Sequence, residues 1–475
     1  MLKLKTLSLA VIAGLSISSF TIPVNASNLD AQILKRLEQM EKRLKALETE
    51  NAQLKKALNE PYISASEPEL TARLKSVESQ SNRYKKMADI AESLEGIEVS
   101  GGLTMVGQHL SGKPQDYDKN DSELNYRGDL EITIPVGNIG TSKGKLFTHL
   151  RVGQGLGIEN APYDDGSGGA FSSFNSTSFQ RPGFNKSDST ILLAQLWYQL
   201  DMPLPLGGNT DYSRGHLEMT IGKMDPFMFF DQNAIADDET RGFMNQSFVH
   251  NPLLDAGGDI GADEFGFTPG FRMAWVNETQ KPIQYGLSFG AFGAGKGAEF
   301  NDSLSDPFYI IQGETQQRFF SGLEGNYRIY YWKNYSGQDF NKPDEDYSTH
   351  AGFGLSIDQK VHDYTTVFAR YGQQTQGDVS FDQTLTFGAE FGGSYWSRGG
   401  DAIGVALGFL SLSDEYKDAN PAMDDGAEQV AELYYRYRIN EQIHLSPNVQ
   451  HIRNPAGDKD ASSLTAYGLR AQLDF

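Results

Sequence analysis

The feature that most constrains this chain is a change of period at Ile97. Upstream, apolar residues recur at helical spacing. From Ile97 to Phe475 they alternate with polar residues at a period of two. Successive side chains of a strand point to opposite faces, so such alternation predicts strands with one apolar and one polar face. The clearest example runs from Leu124 to Ile134. Leu124, Tyr126, Leu130, Ile132 and Ile134 share one face, and Asn125, Arg127, Asp129, Glu131 and Thr133 share the other. A soluble sandwich alternates too, but turns its apolar face inward. The choice between the two rests on the rest of the chain.

Residues up to Phe20 read as a secretory signal. Lys3 and Lys5 form a positive head, Leu7 to Phe20 an apolar run too short to span a bilayer, and Val24-Asn25-Ala26 a small-residue cleavage site. Export of this kind implies a bacterial envelope or secretion. Beyond the leader there is no run of about 18 apolar residues, which excludes a helical membrane protein. The formal charge of −21 argues against nucleic acid as a partner. With no cysteine, disulfides, thiolate metal sites and c-type haem attachment are ruled out.

Alternating segments recur at 146–152, 192–200, 217–221, 271–275, 283–291, 351–357, 367–371, 385–391, 403–409, 431–437, 443–449 and 465–475. With flanking residues each approaches the roughly 10 that span a membrane when tilted. Tyr198, Trp275, Tyr371, Tyr435 and Tyr437 near segment ends suit an aromatic girdle. Long connections fall at 110–122, 153–189, 225–268, 293–313, 334–347, 373–381, 412–427 and 453–462, with shorter turns such as 277–281, 358–362 and 440–442 between them. Transmembrane barrels alternate short periplasmic turns with longer outer loops in this way. The alternation closes if 318–332 is split into a hairpin at Gly325-Asn326. The expectation is therefore an all-β transmembrane barrel of 16 antiparallel strands, entered from the periplasm. Phe475 is the last residue, and Leu473, Ala471, Leu469 and Tyr467 precede it at period two. That strand resembles the signal read by the outer-membrane barrel assembly machinery.

The segment before the barrel reads as a coiled coil. Ile33, Leu37, Met40, Leu44, Leu47, Asn51, Leu54 and Leu58 step by four and three, with Leu37, Leu44, Asn51 and Leu58 at a and the others at d. In a parallel homo-oligomer the g-to-e pairs are Arg36–Glu41, Arg43–Glu48 and Glu50–Lys55, all opposite in sign. Asn51 at a would fix register at some cost in stability. The alternative is one amphipathic helix lying on its own domain, where such charge pairing is unneeded. A trimer suits barrels, and the seam also admits a dimer. Pro61 ends this helix, and Ser66 with Glu69 forms a capping box for a second. The expected organisation is a signal peptide at 1–26, a coiled coil at 27–60, a linker and second helix at 61–95, and the barrel at 96–475.

Several stretches resemble the carbohydrate-selective porin family. One runs Glu432-Leu433-Tyr434-Tyr435-Arg436-Tyr437-Arg438. Others are Leu445-Ser446-Pro447-Asn448-Val449 through Asn454-Pro455, and Tyr467-Gly468-Leu469-Arg470. A fourth is Ile221-Gly222-Lys223-Met224-Asp225-Pro226, continuing through Phe229-Phe230-Asp231, Asn233, Ala236 and Asp238-Glu239-Thr240-Arg241 to Asn251-Pro252. The resemblance covers residues 96–475. It implies a 16-stranded barrel passing sugars by facilitated diffusion, in agreement with the strand count. The coiled coil departs from the plain family pattern, leaving open whether this member is tethered, trimeric or tuned to another solute.

If apolar residues face lipid, their neighbours face the lumen. Candidates are Arg127, Asp129, Glu131, His149, Arg151, Trp197, Glu218, Arg272, Arg328, Arg370, Glu390, Glu432, Arg436, Arg438 and Arg470. Opposed charges across a pore disfavour apolar solutes and tune ion passage. The plainer alternative is that they pair with each other and line water. The segment 227–251, rich in acids at Asp231, Asp237, Asp238 and Glu239 and carrying Arg241, is a candidate constriction, folding inward from the connection after the fifth strand, or else an outer loop without a gating role. Asp116-x-Asp118-x-Asn120 begins like a calcium loop, but Asp121 and Arg127 stand where glycine and glutamate are needed, so no metal site is expected. No cofactor is expected, and no enzyme motif is present: the eight His are scattered, without H-E-x-x-H, a P-loop or a G-x-S-x-G elbow. The expected partners are outer-membrane lipids, small hydrophilic solutes with sugars foremost, the assembly machinery through Phe475, and further copies of the chain. The alternatives are a general cation-preferring porin, or a barrel anchor whose coiled coil tethers the outer membrane to the cell wall.

Overall fold

The computed structural model describes residues 38–39, 41–53, 96–112, 122–155, 157–158, 169–179, 188–206, 213–342, 347–421 and 426–475. The chain divides into two units, Met1–Ile97 and Glu98–Phe475. In the first, residues 41–53 are helical, and Leu44, Leu47 and Asn51 are the three positions of that stretch that are not exposed. They are the described members of the heptad seam. Ile33, Leu37, Met40, Leu54 and Leu58 lie outside the described residues, as do the leader, the second helix and the Asp116–Asn120 stretch.

The second unit is a closed antiparallel barrel of 16 strands. They are β1 (Glu98–Ser111), β2 (Ser122–Ile139), β3 (Ser142–Gln154), β4 (Thr190–Pro203), β5 (Gly215–Met224), β6 (Thr268–Gln280), β7 (Ile283–Phe292) and β8 (Phe308–Gln317), then β9 (Gly325–Gly337), β10 (Ser348–His362), β11 (Thr365–Gln376), β12 (Phe381–Gly392), β13 (Ala402–Leu412), β14 (Ala427–Arg438), β15 (Ile443–Arg453) and β16 (Leu464–Asp474). Each strand pairs with its sequence neighbour, and β16 closes onto β1 from Gly102↔Asp474 to Ser111↔Thr465. Closure leaves no strand edge, the condition for a sheet to sit in lipid.

The outer surface carries the apolar face of the alternation. On β7, Tyr285, Leu287 and Phe289 are exposed while Ser288 is buried. On β9, Ile329 and Tyr331 point outward while Tyr330 and Trp332 point into the barrel and are buried. Exposed aromatics gather near both rims. Trp275, Tyr285, Tyr364, Tyr395 and Tyr437 lie towards the end with short turns, and Tyr309, Tyr331, Tyr335 and Tyr467 towards the end with long connections. Large apolar side chains facing outward over a closed sheet identify the surrounding medium as lipid.

Two details differ from the sequence expectation. The hairpin between β8 and β9 does not turn at Gly325-Asn326, because β8 already begins at Phe308 and Gly325 opens β9. The reversal lies at residues 318–324, where Ser321 (φ 52°) and Gly322 (φ 80°) supply the left-handed positions. Adjacent Ile310 and Ile311 hid the start of β8: Ile310 is buried inside the barrel and Ile311 faces lipid. On β4 the register shifts between His149↔Gln195 and Leu150↔Leu193. The extra residue, Ala194, reverses the faces, so Ile191 and Leu193 point outward but Gln195 and Trp197 inward.

The closing seam extends to the last residue. Gly101 N donates to the Phe475 carbonyl at 3.0 Å, and Phe475 N donates to the Gly101 carbonyl at 2.9 Å. The Phe475 ring lies over Gly101, where an added Cβ would come within 2.5 Å of it. Gly101→Val is therefore expected to push the ring off the seam and destabilise the barrel by about 1–3 kcal/mol. The loss would be read as a lower temperature for the shift from folded to unfolded mobility in detergent gels. An unchanged transition would show that the seam does not depend on this contact.

Candidate functional site

Two long connections turn back into the barrel, residues 169–179 between β3 and β4 and residues 225–267 between β5 and β6. Inside, their backbone polar groups cannot reach bulk water and need protein partners. The inward-facing charges of the wall supply them.

Asp231 is fully buried, with φ 57°, a left-handed conformation that Asp tolerates better than most residues. Its carboxylate accepts from Arg370 Nε at 3.1 Å, Tyr330 Oη at 2.7 Å and Asn251 N at 2.6 Å. The Arg370 guanidinium also donates to the carbonyls of Asp231 and Phe248, both at 2.9 Å. Asp231 N donates to Gln312 Oε1 on β8 at 2.9 Å. One ion pair thus ties the loop to β8, β9 and β11. Glu432 on β14 accepts from the backbone N–H of Met244 and Asn245, both at 2.9 Å. Arg470 on β16 donates to the carbonyls of Glu239, Gly242 and Arg241 at 2.7, 2.9 and 2.8 Å. Farther along, Asp259 accepts from Trp332 Nε1 and, at 2.7 Å, from His350 Nδ1, while His350 Nε2 faces Asp339 at 3.0 Å.

The segment 169–179 is held in the same manner. Glu428 accepts from Phe171 N at 2.7 Å and Ser172 Oγ at 2.9 Å. The Phe174 carbonyl accepts from Gln108 on β1 at 3.0 Å and Gln450 on β15 at 2.8 Å. The two inserted segments bond to each other, Ser176 N to the Met244 carbonyl and Gln246 N to the Ser173 carbonyl, both at 3.0 Å.

Together they leave a cavity of about 550 Å³ beside β2, β3 and β4. On the wall side, Asp129 accepts from Arg127 Nε at 2.8 Å and Arg151 Nε at 2.7 Å. His149 Nε2 lies 2.8 Å from the same carboxylate. Gln195 Oε1 accepts from Asp225 N and Trp197 Nε1, so its amide nitrogen faces His149 Nδ1 at 3.3 Å. That arrangement places the imidazole proton on Nε2, pointing at Asp129. From the loop side, Glu239 reaches Arg127 Nη1 at 2.6 Å. His250 stacks on Phe227 with centroids 3.7 Å apart and meets Asp255 at 3.0 Å. Burial alone would lower the His250 pKa, but the Asp255 hydrogen bond and the charges of Asp255, Asp237 and Asp225 outweigh it and push it up to about 9. Burial pushes the Asp237 carboxyl up to about 7.

The candidates from the sequence occupy three settings. Arg127, Glu131, His149, Arg151, Asp237 and Glu239 line the cavity. Arg370, Glu432, Arg470 and Asp231 hold the inserted loop. The remainder form pairs or stacks along the wall. Arg272 meets Glu218 at 2.7 Å and lies over Phe229. Arg328 meets Asp358 at 3.1 Å, and Arg436 meets Glu390 at 3.1 Å. Trp197 stacks on Phe147 at 4.7 Å. Asp238 caps Thr240, and Arg241 pairs with Asp474 at 2.5 Å. Sequence reasoning missed segment 169–179, Asp255 and Gln195, and it placed Phe227 and His250 within the expected constriction without singling them out. The signal for the first was available: Phe171, Phe174 and Phe179 are apolar residues in a connection that should otherwise be polar.

A closed 16-stranded barrel with a lipid-facing exterior and a lumen narrowed by its own loops defines a transmembrane diffusion pore. Residues 153–475 match the family model of the carbohydrate-selective porin, OprB family. The chain belongs to that family and is a porin of the bacterial outer membrane. Its fold is similar to the high-pH structure of Pseudomonas putida OprB, at a TM-score of 0.64 and 18% identity, over 82% of this chain and 96% of that one. An uncharacterized protein of Aquifex aeolicus is 22% identical over 254 residues, which is 54% of this chain; the match spans 63% of that relative's length.

Removing one partner of the Asp231–Arg370 pair leaves a buried guanidinium unpaired, at a cost of about 3–5 kcal/mol. Asp231→Ala is expected to free the inserted loop, seen as new protease cuts between residues 225 and 267 in folded, membrane-inserted protein. Wild-type protection in that variant would remove Asp231 from this role.

Proposed function

We propose that this porin is a passive channel for small hydrophilic solutes, sugars foremost, with its narrowest passage beside β2–β4. The supporting observation is the cavity of about 550 Å³ between that wall and the inserted loops. Its size falls within the roughly 300–1,000 Å³ usual for small-molecule sites. Its lining combines carboxylates, guanidiniums and amides with the rings of Phe179, Phe227 and Phe265. A sugar has hydroxyl edges for the first set and a C–H face for the second. In this reading Arg127, Glu131, Arg151, Asp237 and Glu239 face the solute, and residues 225–267 form the constriction. Transfer is by diffusion, with no chemical step. Liposome swelling with sugars of graded size and with neutral non-sugars of matching size tests this. Sugars are expected to enter faster, and equal rates would defeat sugar selectivity.

In the same reading the helical extension stands on the periplasmic side. The short turns share the end at which β1 begins, the arrangement barrels use for their periplasmic rim. The extension joins copies into a parallel homo-oligomer, a trimer, through Leu44, Leu47, Asn51 and the rest of the seam. Asn51 stands at an a position of that seam, where a polar residue fixes register between chains. Deleting residues 27–60 is expected to leave single-channel conductance intact and abolish the oligomer on size-exclusion chromatography with light scattering. An unchanged mass would assign oligomerisation elsewhere.

A further inference from the structure

Pairing around the cavity leaves a surplus of one sign. The charges of Arg127 and Arg151 are balanced by Asp129 and Glu239. His250 is balanced by Asp255, and Lys223 by Asp263 at 3.0 Å. The Glu131 carboxylate makes no hydrogen bond or ion pair among the described residues, and it lines the cavity. Asp237 lines it too, with 29% of its side chain open. Its nearest cations are His250 Nε2 at 3.8 Å and Arg370 at 4.0 Å, both too far for a hydrogen bond; Oδ1 is buried without a partner, and the open part of the side chain is the rest of the group. The passage therefore presents carboxylate oxygens with unused acceptor capacity, and its guanidiniums are already engaged.

We propose that this passage sorts sugars by charge, favouring amino sugars and neutral sugars over sugar acids, with Glu131 and Asp237 as the discriminating residues. An ammonium or hydroxyl group on the solute donates to these carboxylates. A uronate carboxylate meets like charge in a narrow, loop-lined space, where an unpaired pair of anions repels more strongly than in bulk water. The inference rests on the sugar-channel reading and adds the class of sugar.

The test uses the full-length porin in liposomes, with glucosamine, glucose and glucuronate as probes at fixed ionic strength. The expected order is glucosamine, glucose, glucuronate, with the first and last differing by about tenfold, a ratio equal to about 1.4 kcal/mol. Glu131→Gln with Asp237→Asn is expected to compress that ratio to about twofold. A second measurement needs no variant. His250, Arg370, Arg328 and Asp231 surround Asp237, and its raised pKa means that charge is lost as pH falls through about 7. The wild-type glucose-to-glucuronate ratio should therefore shrink between pH 8 and pH 5.5, a range in which both probes keep their charge state. Equal entry of glucosamine and glucuronate, with glucose passing, would overturn the sorting and leave the channel reading standing. No entry of glucose in conducting porin would overturn both.

Discussion

Backbone N–H and C=O groups taken out of water must find partners, and the molecule answers that demand twice. Around the circumference, every strand pairs with two neighbours and the β16–β1 seam removes the edge. Within the lumen, two loops bring irregular backbone to membrane depth, and wall side chains serve as its partners. Glu432 and Glu428 take N–H groups, while Arg470 and Arg370 take carbonyls. Irregular backbone at that depth is tolerated where protein buries it or it lines a water-filled cavity.

This second use of charge determines the shape of the passage. The Asp231–Arg370 pair, with Tyr330 and Asn251, fixes the 225–267 loop against β8, β9 and β11. Glu432 and Arg470 fix it on the opposite side. The loop therefore fills the lumen against those strands, and the opening is left beside β2–β4. Local strain at Asp231 is held in place by four hydrogen-bonding neighbours (Arg370, Tyr330, Asn251 and Gln312).

Much of the fold was legible in the sequence. Period-two alternation placed Arg127, Arg370, Glu432 and Arg470 on the inner face, and the lengths of connections gave 16 strands. The departures are local. At β8, Ile310 and Ile311 are both apolar because one meets the loop-filled lumen and the other lipid, which erases the alternation. At β4, Ala194 inserts a bulge that exchanges the faces within one run of apolar residues.

The sequence by itself determined the barrel and its inner and outer faces, because side-chain direction on a strand follows from spacing alone, and its motifs carried the family resemblance. Only the tertiary structure decided which inner charges anchor loops and which border the passage. Arg127 and Arg370 have the same signature, a guanidinium between lipid-facing neighbours. One lines the cavity beside Glu239, and the other is buried beneath Asp231. Spacing encodes direction, but not what a distant loop brings to meet the side chain. That depends on segments far apart in the chain, such as 231 with 370 and 172 with 428, which meet only when the barrel has closed around them.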